Sequence, residues 1–205
     1  MANLRSLSTA GRREVASPLR QLLKRETADL HRRLELDLGL LESELSLERY
    51  RRVLEFFLGF YGPIEAALAR VVSAGPPLAL PLRARTALIE SDLRSLGLSQ
   101  REVAELPRCA DLPRLSSPED LAGCLYVLEG ACLGGQVIAA ALREQLGVEK
   151  DSGGSFFIGD AEGTPARWSL FLCWLEDLAR ARSATAEIVT SARATFLAFA
   201  RWVER

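Results

Sequence analysis

The chain has 205 residues, of which 48% are hydrophobic and 26% are charged, and its formal net charge is −1. This length and composition indicate one globular domain and exclude a mostly disordered chain. The small net charge gives no long-range attraction to nucleic acid or to an anionic membrane, so we expect neither as a partner.

Residues 1–16 are predicted to form a flexible tail, and residues 17–205 the folded domain. The tail has no continuous apolar stretch of the kind found in secretory signals, and we expect no later run to be long enough to span a bilayer. The four cysteines lack metal-binding spacing and are too few for a disulfide scaffold, which favours a reducing compartment and a cytoplasmic protein: Cys109, Cys124, Cys132 and Cys173.

The first half of the chain predicts three helices. Ser17 can cap a helix that starts at Pro18, and leucines follow at helical spacing. A second helix is predicted from residue 46 to about residue 72, with a kink at the Gly-Pro pair 62–63. The Gly-Pro-Pro run at 75–77 breaks the chain, and a third helix is expected over about 81–96.

Residues 97–117 are expected to be irregular, with a short helix between Pro107 and Pro113. Ser117-Pro118-Glu119-Asp120 is a strong start signal for a helix that ends at Gly147. A loop over 147–164 and two further helices, over about 165–182 and 184–202, complete the chain. No stretch alternates with period two, so we predict an all-α, single-domain, multi-helical bundle.

The long helix carries glycines in its interior, at Gly130, Gly134 and Gly135. Each costs about 1 kcal/mol of helix stability relative to alanine, so a functional or packing reason is expected. Gly123, Gly130 and Gly134 fall on one stripe of the helix. Spacing alone leaves two interpretations open: a close helix–helix crossing, or a flat ligand lying against the helix.

The single histidine, His31, shares a helix face with Lys24, Ala28 and Glu35. Glu35, one turn on, can fix the imidazole tautomer, as carboxylates do for metal-binding histidines. Lys24 lies two turns back, about 10.5 Å along the axis. This separation suits a planar cofactor with a metal at its centre and carboxylates at its edge.

Together, two motifs about 100 residues apart resemble the heme (haem) oxygenase family. LKRETADLH, ending at His31, resembles the proximal helix, and LEGACLGGQ, at 128–136, resembles the glycine-rich distal helix. The resemblance continues in the phenylalanine pair 156–157 and in ARATFLAFARW of the last helix, and it covers about 17–204. YVLEG, at 126–130, looks most like the bacterial branch that supplies biliverdin to bacteriophytochromes.

The resemblance implies roles for individual residues. His31 would be the proximal axial ligand of the heme iron, Glu35 its hydrogen-bonding neighbour, and Lys24 the partner of a heme propionate. Gly130 and Gly134 would lie against the distal heme face, which makes them catalytic candidates with His31.

Two further residues belong to the implied cofactor site. Gly135 lies beside the glycine stripe. Arg167, in TPARW, is in the neighbourhood of the family's basic propionate contacts, although the alignment slips there by about two residues.

The sequence also departs from the family pattern. Better-known members carry an aspartate directly after the first distal glycine, where it organises a water network. Ala131 stands there in this chain, followed by Cys132. The tyrosine expected at position 125 is displaced to Tyr126, which points about 100° away.

The residue counts limit the chemistry independently. With one histidine and only the initiator methionine, a six-coordinate electron carrier with two side-chain ligands is disfavoured, and one axial position stays open. A cysteine ligand stays possible in principle, but no cysteine shares a face with a basic partner as His31 does. Ferritin-like di-iron sites need two Glu-x-x-His motifs and are excluded.

The resemblance implies oxidative cleavage of heme b by O2 to biliverdin, carbon monoxide and ferrous iron. Electrons would come from a ferredoxin or a reductase, since the chain has no GxGxxG dinucleotide motif. A bacteriophytochrome would be the biliverdin acceptor. Two alternatives stay open: a non-catalytic heme-binding sensor or carrier on the same fold, which Ala131 keeps plausible, and a helical interaction module whose glycines only pack helices.

Overall fold

The computed structural model describes residues 17–74, 81–159 and 163–205. These residues form helices and their connections, with no β-strand in the described ranges, which confirms the all-α prediction. The predicted flexible tail lies outside them. The α-helices are α1 (Pro18–Leu38), α2 (Leu47–Ala74), α3 (Thr86–Ser95), α4 (Gln100–Glu105), α5 (Pro118–Leu146), α6 (Ser155–Ile158), α7 (Thr164–Arg182) and α8 (Thr185–Val203), with a 3-10 turn at Lys150–Ser152.

The helices whose ends were predicted from local signals begin and end where those signals lie. The Ser17 hydroxyl accepts a hydrogen bond from the Arg20 amide at the start of α1. Ser117 and Asp120 form a reciprocal capping box at the start of α5, and Gly147 ends that helix in the left-handed region, at φ 64°. Helix α2 is continuous through Pro63.

Two helices begin where a distant carboxylate caps them. Glu65 of α2 accepts hydrogen bonds from the amides of Arg85 and Thr86 and from the Thr86 hydroxyl. Helix α3 therefore begins at Thr86 and not near residue 81. Asp92 of α3 accepts bonds from the Ser155 amide and hydroxyl and from the Phe156 amide, and so starts α6 within the predicted loop. Burial raises the pKa of Asp92 despite these bonds.

The short helix α4 also differs from its predicted place. It was expected between Pro107 and Pro113, but it precedes both prolines. Ser99 and Glu102 form a capping box that starts it, and Leu106, which follows its last residue, has an extended backbone. A residue before proline is biased away from the helical region, which accounts for the stop at Leu106.

Helix α8 supports the two helices that carry the sequence motifs, because both α1 and α5 pack on it. Asp29 of α1 pairs with Arg193, and Asp120 of α5 accepts a hydrogen bond through its carbonyl from the Ser191 hydroxyl. On its other side α8 meets α2, where the rings of Phe60 and Phe199 stack with centroids 4.5 Å apart. The core thus lies along the sides of α8 that face α1, α2 and α5.

At Gly123 the backbones of α5 and α8 are in close contact. A Cβ added there would lie 2.5 Å from the Ile188 carbonyl oxygen and 2.6 Å from the Ala192 amide nitrogen. Both are backbone atoms, which cannot swing aside as a side chain can. The helix-crossing interpretation of the glycine stripe is therefore correct for Gly123.

Two core helices reach the length and apolar character of a membrane span. The segments Leu47–Ser73 and Pro118–Leu146 do so by length and composition alone, with mean hydropathies of 1.2 and 1.6. The expectation that no segment would be long and apolar enough to span a bilayer is wrong. The core helix of a soluble protein meets the same criterion, and both helices contribute residues such as Tyr50 and Cys124 to the core.

The same substitution at two glycines of α5 should have opposite effects on the apoprotein. We expect Gly123→Ala to lower the free energy of unfolding by about 1–3 kcal/mol, because α5 and α8 must separate to admit the methyl group. Gly134→Ala should leave it unchanged or raise it by up to about 1 kcal/mol, because nothing lies within 4 Å of its added Cβ and alanine favours the helix. Thermal and denaturant unfolding measure the stability of both variants. Equal losses of stability would contradict the assignment of Gly123 to helix packing and of Gly134 to an open surface.

Candidate functional site

Helices α1 and α5 both pack on α8 and approach each other at two places. At the first, Thr27 of α1 lies near Tyr126 of α5, whose pKa is raised by burial. At the second, Gln145 of α5 accepts from the Leu45 amide at 2.9 Å and donates to the Glu42 carbonyl at 3.0 Å, just beyond the end of α1. Between these two places, His31 and Glu35 of α1 and Ala131 and Gly134 of α5 are exposed, and we call the space between the two helices the cleft.

On α1, His31 presents its imidazole to this cleft. Its Nδ1 lies 3.2 Å from Glu35 Oε2, and both side chains are more than half exposed. The ring rests edge-on against Phe196 of α8, with centroids 5.8 Å apart. Because Nδ1 is engaged by the carboxylate, Nε2 is left as the nitrogen available to a metal.

On α5, the cleft is lined by glycines that no protein atom crowds. Among the described residues, a Cβ added at Gly134 would meet nothing within 4 Å, and one added at Gly130 would meet only the Trp168 ring, at 3.8 Å. Gly135 differs, because its Cβ would lie 2.4 Å from the Phe157 carbonyl oxygen of α6. Helical geometry turns Gly135 about 100° from Gly134, toward the protein interior.

An aromatic cluster closes the cleft beside Gly130. Trp168 of α7 is buried, and its ring centroid lies 5.7 Å from that of Tyr126 and 5.5 Å from that of Phe171, on which it stacks. The Trp168 indole N–H has no hydrogen-bond partner among the described residues.

The opposite face of α5 is held by polar contacts. Arg85 donates to Cys132 Sγ at 2.7 Å and to the Phe156 carbonyl, and its guanidinium lies over the Phe156 ring. A cavity of about 270 Å³ lies here, between α2, residues 81–85 and α5. Burial raises the pKa of the Cys132 thiol although Arg85 opposes this shift. The cavity is therefore behind α5, on the side away from Gly130 and Gly134.

Arg167 is committed to an ion pair. Its guanidinium lies 2.6 Å and 2.9 Å from the two carboxylate oxygens of Glu129 and also donates to the Pro81 carbonyl at 2.7 Å. The side chains of Arg167 and Glu129 are only 15% and 9% exposed. The hydrogen bonds that Arg167 donates to Glu129 raise the pKa of Arg167. This pair fastens the start of α7 to α5, directly before Gly130.

Comparison with known proteins gives a consistent result. The sequence model of the family described as heme oxygenase matches residues 17–205. A heme oxygenase of Xanthomonas campestris pv. campestris (strain 8004) is 33% identical over 153 residues, which is 75% of this chain and 83% of that relative. The chain belongs to the heme oxygenase family.

Solved structures agree at the level of the fold. The NO- and CO-bound heme oxygenase from Neisseria meningitidis superimposes with a TM-score of 0.69 at 22% identity, over 91% of this chain and 90% of that one. Heme oxygenase from Leptospira interrogans gives a TM-score of 0.69 at 20% identity, over 91% and 98% of the two chains. The helices described above therefore form a heme oxygenase fold.

Heme, the family's substrate, fits the residues of the cleft. A macrocycle is flat, and Gly130 and Gly134 leave space where side chains would block its approach to the backbone. His31 offers one free nitrogen from the facing helix. Five of the predicted residues lie on the two helices of the cleft, three on α1 and two on α5: Lys24, His31, Glu35, Gly130 and Gly134.

Gly135 and Arg167 lie apart from these five. Gly135 packs against α6, and Arg167 pairs with Glu129, so neither is directed at the cleft in this structure. Sequence reasoning did not single out Trp168 or Phe196, which border Gly130 and His31. Trp168 directly follows Arg167 in the sequence, but nothing local in the sequence indicates which way its ring turns.

Breaking the Arg167–Glu129 pair should cost stability. We expect Arg167→Met to lower the free energy of unfolding of the apoprotein by about 3 kcal/mol, because it leaves a nearly buried carboxylate unpaired. Adding Glu129→Gln to this variant should restore part of the loss, which a double-mutant cycle of denaturant unfolding measures. A propionate contact predicts the reverse: Arg167→Met would keep the apoprotein's stability and weaken hemin binding.

Proposed function

We propose that this protein is a biliverdin-producing heme oxygenase that cleaves heme oxidatively with O2 and electrons from a separate ferredoxin or reductase. The products would be biliverdin, carbon monoxide and ferrous iron. The observation that carries the proposal is the pairing of His31 Nδ1 with Glu35 on α1, together with the uncrowded Gly130 and Gly134 on α5.

The residues of the cleft have separate tasks in this proposal. His31 binds the iron through Nε2, and Glu35 holds Nδ1 so that the ring keeps its orientation. Lys24, exposed two turns earlier on α1, pairs with a propionate at the edge of the cleft. Gly130 and Gly134 admit the opposite face of the macrocycle to the backbone of α5. Heme bound through one neutral histidine supplies an iron with an open position for O2, and the protein orients the ring.

Cys132 does not stand in for the missing distal aspartate. Ala131 is exposed and carries no polar group, while Cys132 points away from the cleft and contacts Arg85. This observation favours one second candidate, a heme-binding sensor or carrier without catalysis. The two functions differ in whether bound heme is consumed.

Two finer parts of the proposal concern the cellular setting. The resemblance of YVLEG at 126–130 to the bacterial phytochrome-associated branch supports a bacteriophytochrome as the acceptor of biliverdin. The four cysteines are all free thiols, which supports a cytoplasmic location.

The decisive experiment follows hemin-loaded protein during aerobic reduction with ascorbate. We expect the Soret band to bleach and a bilin to form, identified as biliverdin by chromatography and mass spectrometry.

His31→Ala should abolish this turnover at little cost in stability, because the side chain is exposed and alanine favours helices. Arg32→Ala, at the next exposed position of α1, is the control. A stable Soret band in the wild type would favour the sensor or carrier, and normal turnover by His31→Ala would refute the axial assignment.

A bulky side chain at the open glycine should affect hemin and not the apoprotein. We expect Gly134→Leu to keep the apoprotein's melting temperature nearly unchanged, because nothing lies within 4 Å of the added Cβ. The variant should bind hemin more weakly or with an altered Soret spectrum, because leucine obstructs the cleft. Gln136→Leu, on an exposed position of the same turn, serves as the control. A variant that melts far lower but binds and degrades hemin normally would place Gly134 outside the cleft.

A further inference from the structure

The two open glycines of α5 have different surroundings. The space in front of Gly134 is free, whereas the edge of the Trp168 indole lies 3.8 Å from the Cβ position of Gly130. A flat molecule that lies along these glycines can extend past Gly134. At Gly130 it meets the six-membered ring of Trp168.

Trp168 is fixed in this position from several sides. Its ring contacts those of Tyr126 and Phe171, with centroids 5.7 Å and 5.5 Å away. The preceding residue, Arg167, anchors the start of α7 to Glu129, which is adjacent to Gly130 in α5. An aromatic wall made of Tyr126, Trp168 and Phe171 therefore closes the Gly130 end of the cleft.

The wall also carries an unused donor. The Trp168 indole N–H is buried and lacks a partner among the described residues. A buried donor without an acceptor costs about 1–3 kcal/mol, and a bound molecule or water that accepts from it removes this cost. The Trp168 atoms nearest Gly130 are carbons of the six-membered ring, so the N–H is a separate feature of the wall.

We propose that Trp168 is a specificity-determining residue that contacts the edge of the bound heme beside Gly130 and fixes its rotation within the cleft. This inference rests on the proposed function. The four meso carbons of heme are related by quarter turns of the ring, so the rotation decides which of them is cleaved. In this proposal Lys24 binds the propionate edge of the heme, and Trp168 contacts the heme edge that lies against the aromatic wall.

Trp168→Phe tests the wall, because it removes the outer ring and the N–H but keeps an aromatic side chain for Tyr126 and Phe171. Trp174→Phe is the matched control: it makes the same exchange two turns along α7, where the ring also touches Phe171 but not Gly130. Hemin is the probe. One readout is the set of heme-methyl resonances in the NMR spectrum of the ferric, cyanide-bound complex, which reports seating without turnover. The other is the biliverdin isomer distribution after ascorbate-driven reaction.

We expect Trp168→Phe to produce a second set of heme-methyl resonances and to raise the minor biliverdin isomer about fivefold, as the loss of one aromatic contact allows. Trp174→Phe should match the wild type in both readouts. Identical seating and isomers in Trp168→Phe, or equal changes in both variants, would overturn the inference. If Trp168→Phe does not fold, Trp168→Tyr decides in the same way. Failure of the wild type to bind hemin or to form a bilin would instead refute the proposed function.

Discussion

The backbone-to-backbone contact of α5 with α8 at Gly123 determines the geometry on which the cleft depends. The Cβ that this residue lacks would lie 2.5 Å from the Ile188 carbonyl oxygen, so only glycine allows the two helices to approach so closely. Helix α1 packs on the same support, through Asp29 and Arg193 among others. Both helices are fixed on a common third helix, and Gln145 of α5 bonds the chain just after α1, so the position of α1 relative to α5 is restrained.

The two faces of α5 have opposite properties. On its inner face Cys132 receives a hydrogen bond from Arg85, and Gly135 lies directly against the Phe157 carbonyl. On its cleft face Gly130 and Gly134 carry no side chain. The glycines weaken the helix locally, and the contacts behind them restrain the same turns. A binding surface built in this way stays in place even though its own residues contribute little to helix stability.

The sequence predicted those features that depend on neighbouring residues. Capping signals gave the starts of α1 and α5, and a spacing of four placed Glu35 beside His31. The starts of α3 and α6 could not be found in this way, because their capping carboxylates, Glu65 and Asp92, come from other helices.

Sequence reasoning also could not divide the glycine stripe into its two functions. Gly123 and Gly134 lie on the same stripe of α5. They differ only in their surroundings, because α8 packs against Gly123 whereas the space beside Gly134 is open. Arg167 shows the same limit. An arginine near the expected position suggested a propionate contact, but its actual partner is Glu129, which is 38 residues away in the chain.

The charge distribution of α5 bears on how protons could reach a molecule in the cleft. Between residues 129 and 137 the only charged side chain is Glu129, and it is engaged by Arg167. The residues around the glycines on the cleft side are apolar, including the exposed Leu133 and Val137. A carboxylate at position 131 would hold a water chain by direct hydrogen bonds, and Ala131 cannot. In the proposed reaction, protons would therefore come through water held by main-chain groups or by other helices, and the rate of turnover would depend on how well such water is ordered beside Ala131.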